Sequence, residues 1–304
     1  MNMLLRASLA VALVLSTAVD RVDAESSCGS LKQIASVATE TAPDGRVSVP
    51  VAIGTQSLNF MLETQEPESL IRASSASALA LPREPILAWY VYDGVRLEEL
   101  AVVDGMKFGD LTANFKLAVA PDSGFEPGIS GILADDFLRA FDVDFDFAKS
   151  RVNLFSPDHC QGGVVYWTKD GASRIPMELS DWGEITVDAE LDGKSVRAEI
   201  ATGLAKSYLL MATGNTKFGE PDKDWKLVKA GEYHNKERSA AVYEHVFKSL
   251  TFGGIEVDNA DVTIRAGGDV LGARLFLGMD ILRQIHLYIA YKERNLYVSA
   301  ASAH

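Results

Sequence analysis

The chain has 304 residues, 47% hydrophobic and 23% charged, a globular composition that excludes disorder and fibrous repeats. Its 42 acidic residues against 29 Lys and Arg leave a net charge of −13. A surface so acidic repels nucleic acid and anionic lipid, which are bound chiefly through Lys and Arg, so no nucleic-acid partner is expected.

Residues 1–24 read as a secretory signal peptide. Arg6 supplies the positive n-region and Leu9 to Leu15 a short apolar h-region, with small residues permitting cleavage after Ala18 or after Ala24. Arg6, Asp20, Arg21 and Asp23 leave together, so the exported chain keeps the same net charge. No later stretch approaches the roughly 18 apolar residues of a membrane span, so no stable insertion is expected once the signal is removed.

Cys28 and Cys160 both lie in the exported part, and an even count in an oxidising compartment favours a disulfide. Such a bridge closes a loop of roughly 130 residues, worth on the order of 4–5 kcal/mol in the chain-entropy picture. His159 beside a lone thiol pair lacks zinc-ligand spacing, and His234, His245, His286 and His304 form no HExxH or comparable grouping. They read as surface or packed residues, and neither a metal nor a cofactor is expected. Asp142, Asp144 and Asp146 begin like a calcium loop, but Phe147 and Asn153 stand where Gly and Glu are needed. Their alternation with Val143 and Phe145 reads as one solvated strand face.

The chain also resembles itself. Residues 47–71 align without a gap on 185–209, an offset of 138. Each copy reads as a strand, a hairpin turn (Gly54-Thr55-Gln56 or Asp192-Gly193-Lys194) and a second strand. That strand ends in a short turn, Glu63-Thr64-Gln65 in one copy and Ala201-Thr202-Gly203 in the other. Residues 131–155 then correspond to 275–299, an offset of 144, so the second copy carries an insertion between the blocks. Phe108-Gly109 matches Phe252-Gly253, and Asp136-Phe137-Leu138-Arg139 matches Asp280-Ile281-Leu282-Arg283, which reads as a short helix with an Asp near its N-cap. A closing hairpin follows each helix, at about 140–155 and 284–298. The expected organisation is an all-β chain of two tandem β-barrel lobes with short helices: 25–155, a link at 156–175, and 176–300.

This ordered set of elements, seen twice over residues 40–300, resembles the retropepsin-like aspartic peptidases of the exported bacterial kind, with two pepsin-like lobes fused in one chain. In that family each lobe offers a hairpin leading to two hydrophobic residues and Asp-Thr-Gly, and later two hydrophobic residues and Gly before a short helix. Here Met61-Leu62 and Glu199-Ile200 precede the triplets, while Leu133-Ala134 and Leu277-Gly278 occupy the later element, with Ala replacing Gly in the first lobe. Signal and resemblance together imply a bacterial periplasmic address, and fusion of the lobes removes the need for a dimer, so a monomer is expected.

The resemblance implies that one Asp from each lobe meets the other across a pseudo-twofold axis, sharing a proton and holding a water. One acts as general base, and the other gives a proton to the scissile carbonyl. Both positions are broken: the first is Glu63, the second is Ala201, and Gln65 replaces the Gly of the first triplet. An added methylene displaces the Glu63 carboxylate by roughly an ångström, enough for about a 100-fold loss, and losing the partner costs more. Thr64, Thr202 and Gly203 remain to brace the turns. Glu199, two residues before Ala201, is a remote substitute for the lost carboxylate.

Trp89, Tyr90 and Tyr92 fall where the family places its flap, and aromatics there suit a groove ligand. The matching stretch of the second lobe, 231–236, reads as a polar loop. The expected function is a pseudo-peptidase binding a peptide or protein segment in the interlobe groove. The alternatives are an endopeptidase using Glu63 with an unidentified partner, and an interaction scaffold whose groove has no role.

Overall fold

The computed structural model describes residues 28–42, 44–211, 213, 218, 226–232, 239–265 and 274–301. The signal segment 1–24 and residues 233–236 lie outside the described residues.

Alternating apolar residues build two closed barrels. In strand Val47–Ile53, Val47, Val49, Val51 and Ile53 are buried while Pro50 is exposed. In its counterpart Ile185–Leu191, Ile185, Val187, Ala189 and Leu191 turn inward and Asp188 and Glu190 outward. This period of two places one face of each strand on the core. The first barrel runs through Val47–Ile53, Gln56–Leu62, Gly131–Leu133, Leu70–Arg72, Leu111–Ala120 and Glu99–Phe108, and closes where Ala52 faces Lys107. The second runs through Ile185–Leu191, Lys194–Ile200, Arg274–Leu277, Tyr208–Leu210, Ile255–Arg265 and Ser239–Phe252, and closes where Leu191 faces Leu250. The strand order is the same in both, as the repeat requires. The turn at Asp192-Gly193 holds both residues at positive φ, 49° and 70°, which matches the right-handed twist of the flanking strands. The architecture is compatible with the two-lobed peptidase-like arrangement.

Each lobe has its closing hairpin, Asp142–Asp146 with Arg151–Phe155 and Ile285–Ala290 with Asn295–Ala300, and the two join in a third sheet that the sequence did not indicate. Strands Gln33–Ala38, Arg151–Phe155, Asp142–Asp146, Ile285–Ala290, Asn295–Ala300 and Ser173–Pro176 follow one another in a single six-stranded sheet. The two hairpins meet edge to edge where Asp142–Asp146 pairs with Ile285–Ala290, which removes an exposed edge from each lobe. The linking stretch adds Ser173–Pro176 as the last strand. One hydrophobic core runs through both barrels, from Val49 and Leu62 to Val187 and Ile200.

Asp142, Asp144 and Asp146 are buried, not solvated. The linking stretch folds over their face. His159 Nε2 lies 2.5 Å from Asp142, Tyr166 donates to Asp144, and the Asn153 amide donates to Asp144 at 2.8 Å. From the second lobe, Tyr288 donates to Asp142 at 3.2 Å and His286 Nε2 approaches Asp144 to 2.5 Å. Buried carboxylates persist only when paired in this way. Beside this ladder the Cys28 and Cys160 sulfurs lie at disulfide distance, with Cα atoms 4.7 Å apart. Among the described residues no helix is long and apolar enough to cross a membrane.

Candidate functional site

The two triplets meet because each ends a strand locked in parallel to the later element of its own lobe. Leu62 pairs with Leu133 and Ile200 with Leu277, and the next amides, Glu63 and Ala201, each donate 3.0 Å to those carbonyls. Thr64 and Thr202 then bond across the lobes. The Thr64 amide donates to Thr202 Oγ1 at 3.1 Å, and the Thr202 amide donates to Thr64 Oγ1 at 3.3 Å. Each hydroxyl donates onward to the opposite strand, Thr64 to the Ile200 carbonyl at 2.6 Å and Thr202 to the Leu62 carbonyl at 2.7 Å. Both threonines are fully buried, so this reciprocal set satisfies four backbone groups that water does not reach.

A second symmetric support lies five residues on. Ser69 donates to Asp136 Oδ1 and accepts the Ala134 amide at 2.9 Å. Ser207 likewise donates to Asp280 Oδ1 at 2.7 Å and accepts the Gly278 amide at 2.9 Å. The two aspartates therefore tie each helix to its turn instead of capping their own helices, which have no side-chain cap. Gly278 is required in the second lobe, since a Cβ there would lie 2.7 Å from the Lys206 carbonyl carbon. The first lobe accommodates Ala134 at the same place.

The positions that the resemblance would make catalytic look different. Ala201 offers no ionisable group, and the space above Gly203 is filled from the first lobe. A Cβ on Gly203 would lie 2.2 Å from Gln65 Nε2 and 2.5 Å from the Glu63 carboxyl carbon. Gln65 donates to Glu63 Oε2 at 3.3 Å and accepts the Gly203 amide at 3.2 Å, so its amide spans the floor. Burial raises the Glu63 pKa to about 8; the neighbouring Glu66 carboxylate adds to this and Arg46 opposes it. A neutral acid beside a neutral amide and a methyl group cannot hold one proton between two carboxylates. Glu199 faces Arg274, whose Nη1 lies 3.2 Å from Glu199 Oε2 and 2.8 Å from Glu184. That pair engages the carboxylate that sequence reasoning weighed as a substitute.

To one side of this floor lies a cavity of about 470 Å³, within the roughly 300–1,000 Å³ range of small-ligand sites. Its lining comes from the first lobe and includes Glu63, Glu66, Arg46 and Glu126 together with Tyr92 and Asp93 of a short hairpin. That hairpin, where the resemblance would place a flap, pairs Val91–Tyr92 with Val95–Arg96 across an Asp93-Gly94 turn whose φ angles are 49° and 73°. Two phenols hold it down: Tyr90 donates to Glu66 at 3.1 Å and Tyr92 to the Gly124 carbonyl at 2.9 Å. Burial raises the Glu66 pKa, with the Tyr90 hydrogen bond opposing. Trp89 does not line the cavity; it is 72% exposed, with the Arg96 guanidinium 4.5 Å above its ring. Leu87 is 96% exposed beside it.

Of the residues expected from sequence, Glu63, Thr64, Ala201, Thr202 and Gly203 converge at the lobe junction, Tyr90 and Tyr92 sit over Glu66 and the cavity, and Cys28 and Cys160 lie together elsewhere. Arg46, Gln65 as a bridge, Glu66 and Glu126 were not foreseen as a group. Ser69 and Ser207 had a usable signal, since each falls five positions after the turn threonine in both copies. The chain matches no family model, and no curated protein matches it.

Proposed function

We propose that this chain is an exported, catalytically inactive relative of the aspartic peptidases that binds a peptide or protein segment in the cleft beneath its flap, in the bacterial periplasm. The observation that carries this reading is the contrast at the lobe junction. The Thr64–Thr202 brace is complete, while the opposed carboxylates are replaced by Glu63, Ala201 and a bridging Gln65. A second support is the flap, held by Tyr90 and Tyr92 over an open cavity instead of collapsed onto the floor. An extended segment there makes backbone hydrogen bonds while alternate side chains enter pockets. The Cys28–Cys160 approach fits an oxidising compartment.

Immobilised mature protein is expected to retain members of a diverse peptide library. Tyr92→Ala, which removes the flap's anchor to Gly124 and a wall of the cavity, is expected to lower retention about tenfold or more, as for a buried aromatic anchor. Retention equal in the two proteins, or none in either, contradicts the reading.

A further inference from the structure

The cavity has a chemistry more specific than peptide binding in general. Four carboxyl groups line it, those of Glu63, Glu66, Asp93 and Glu126, against the single cation Arg46. Arg46 is already committed: its Nη2 lies 2.7 Å from Asp44 and also pairs with Glu126. Glu63, Glu66 and Asp93 receive no ion pair from any cation among the described residues. Glu63 is the telling member. It is 7% exposed and lines the cavity, and among the described residues the one hydrogen bond to its carboxyl group, from Gln65, goes to Oε2. The other oxygen takes no donor from the described residues, which leaves it for a donor entering the cavity.

Apart from Ser123 and the Tyr92 hydroxyl, the remaining lining side chains are apolar. Met61 and Ile132 contribute aliphatic lining, and Phe125 stands beside Tyr92 with ring centroids 6.0 Å apart. Carboxylates lining one cavity with aromatic and aliphatic side chains match a group with an apolar stem and a cationic head. A metal ion fits less well, because no group of three ligating side chains is assembled among the described residues.

Resting on the reading that a segment binds beneath the flap, we propose that this cavity is a subsite for a lysine or arginine side chain of that segment. The ammonium or guanidinium meets Glu66 and Glu63, the stem lies along Tyr92 and Phe125, and Asp93 at the flap turn closes over the entrance. Filling the site draws the proton off Glu63, so binding is coupled to proton release.

The test uses the full mature chain and two kinds of probe. The first pair is n-butylammonium and n-butanol, followed by chemical-shift titration. The second is a capped alanine pentapeptide with a central lysine, norleucine or glutamate, followed by calorimetry in buffers of differing ionisation enthalpy at about pH 7. Butylammonium is expected to bind saturably and butanol not at all. The lysine peptide is expected to bind at least about tenfold more tightly than the norleucine peptide, with protons released. Glu66→Gln is expected to remove that advantage. Asp93→Asn, at an exposed turn where asparagine tolerates the positive φ, is expected to reduce it without threatening the fold. Peptides that bind with no preference for lysine overturn the cationic subsite and leave the peptide-binding reading intact. Butylammonium binding lost in Glu66→Gln, with no peptide bound, supports the subsite and removes that reading. Binding by none of the probes overturns the subsite.

Discussion

Replacing Thr64 by valine is expected to cost about 3–5 kcal/mol of stability, and Thr202→Val the same. Valine keeps the shape and removes only the hydroxyl. In Thr64→Val the Ile200 carbonyl loses its donor and the Thr202 amide its acceptor; in Thr202→Val the losses fall on the Leu62 carbonyl and the Thr64 amide. Each orphaned buried backbone group costs on the order of 1–3 kcal/mol, since no water reaches the junction to replace the bond. Thr64→Ser retains the hydroxyl and is expected to lose only about 1 kcal/mol for the missing methyl. The double valine variant should fall short of the sum, because parting one turn from the other already frees the groups that the second change would orphan. Denaturant unfolding of the wild type and the four variants measures this. A Thr64→Val cost below about 1 kcal/mol contradicts the brace.

Glu63→Gln is expected to act in the opposite sense, and only at higher pH. The folded pKa of Glu63 lies at about 8, raised from 4.5 first by burial and then by Glu66. A carboxyl with a raised folded pKa binds its proton more tightly in the native state. Its contribution is therefore fully present below the unfolded value and is lost as pH climbs from 4.5 through about 8. At the upper end the penalty reaches about 5 kcal/mol, from about 1.4 kcal/mol per pH unit across the window. Glutamine has the shape of the neutral acid and carries no such penalty. Near pH 4.5 the two proteins should have closely similar Tm values; near pH 8 the variant should melt about 10 °C higher. Glu199, whose pKa burial raises to about 7, leaves a shallower pH slope in both proteins, so the informative quantity is the difference between the curves. Equal curves, or a variant less stable at high pH, contradict the buried neutral acid.

The repeat made most of this architecture legible. Alternation around Val49 and Val187, the hairpin turn at Asp192-Gly193 and the recurrence of Thr64 and Thr202 at one offset define two copies of one lobe and the point where they meet. The shared sheet was not legible, because strand Asp142–Asp146 carries no sign of which edge it will join. Nor was the burial of Asp144. A period of two marks a polar face, but the cover comes from Tyr166 in an irregular stretch and from His286 over a hundred residues away. At the junction, the departures from the resembled motif could be read directly at Glu63 and Ala201. The cavity beside it could not, because Arg46, Glu66, Tyr92 and Glu126 come from four separate segments of the first lobe and share no spacing. Sequence also left undecided what Gln65 does; in the fold its amide occupies the floor above Gly203 that a Gly in its place would leave open.

We propose that this junction keeps the bracing of the peptidases it resembles without their chemistry. The most direct test is cleavage of a diverse peptide library by the purified mature protein across roughly pH 3–8, the range over which a carboxylate dyad titrates, with Glu63→Ala alongside. The account predicts no cleavage by either protein at any pH. Cleavage by the wild type that disappears in Glu63→Ala contradicts it and makes Glu63 a working acid or base.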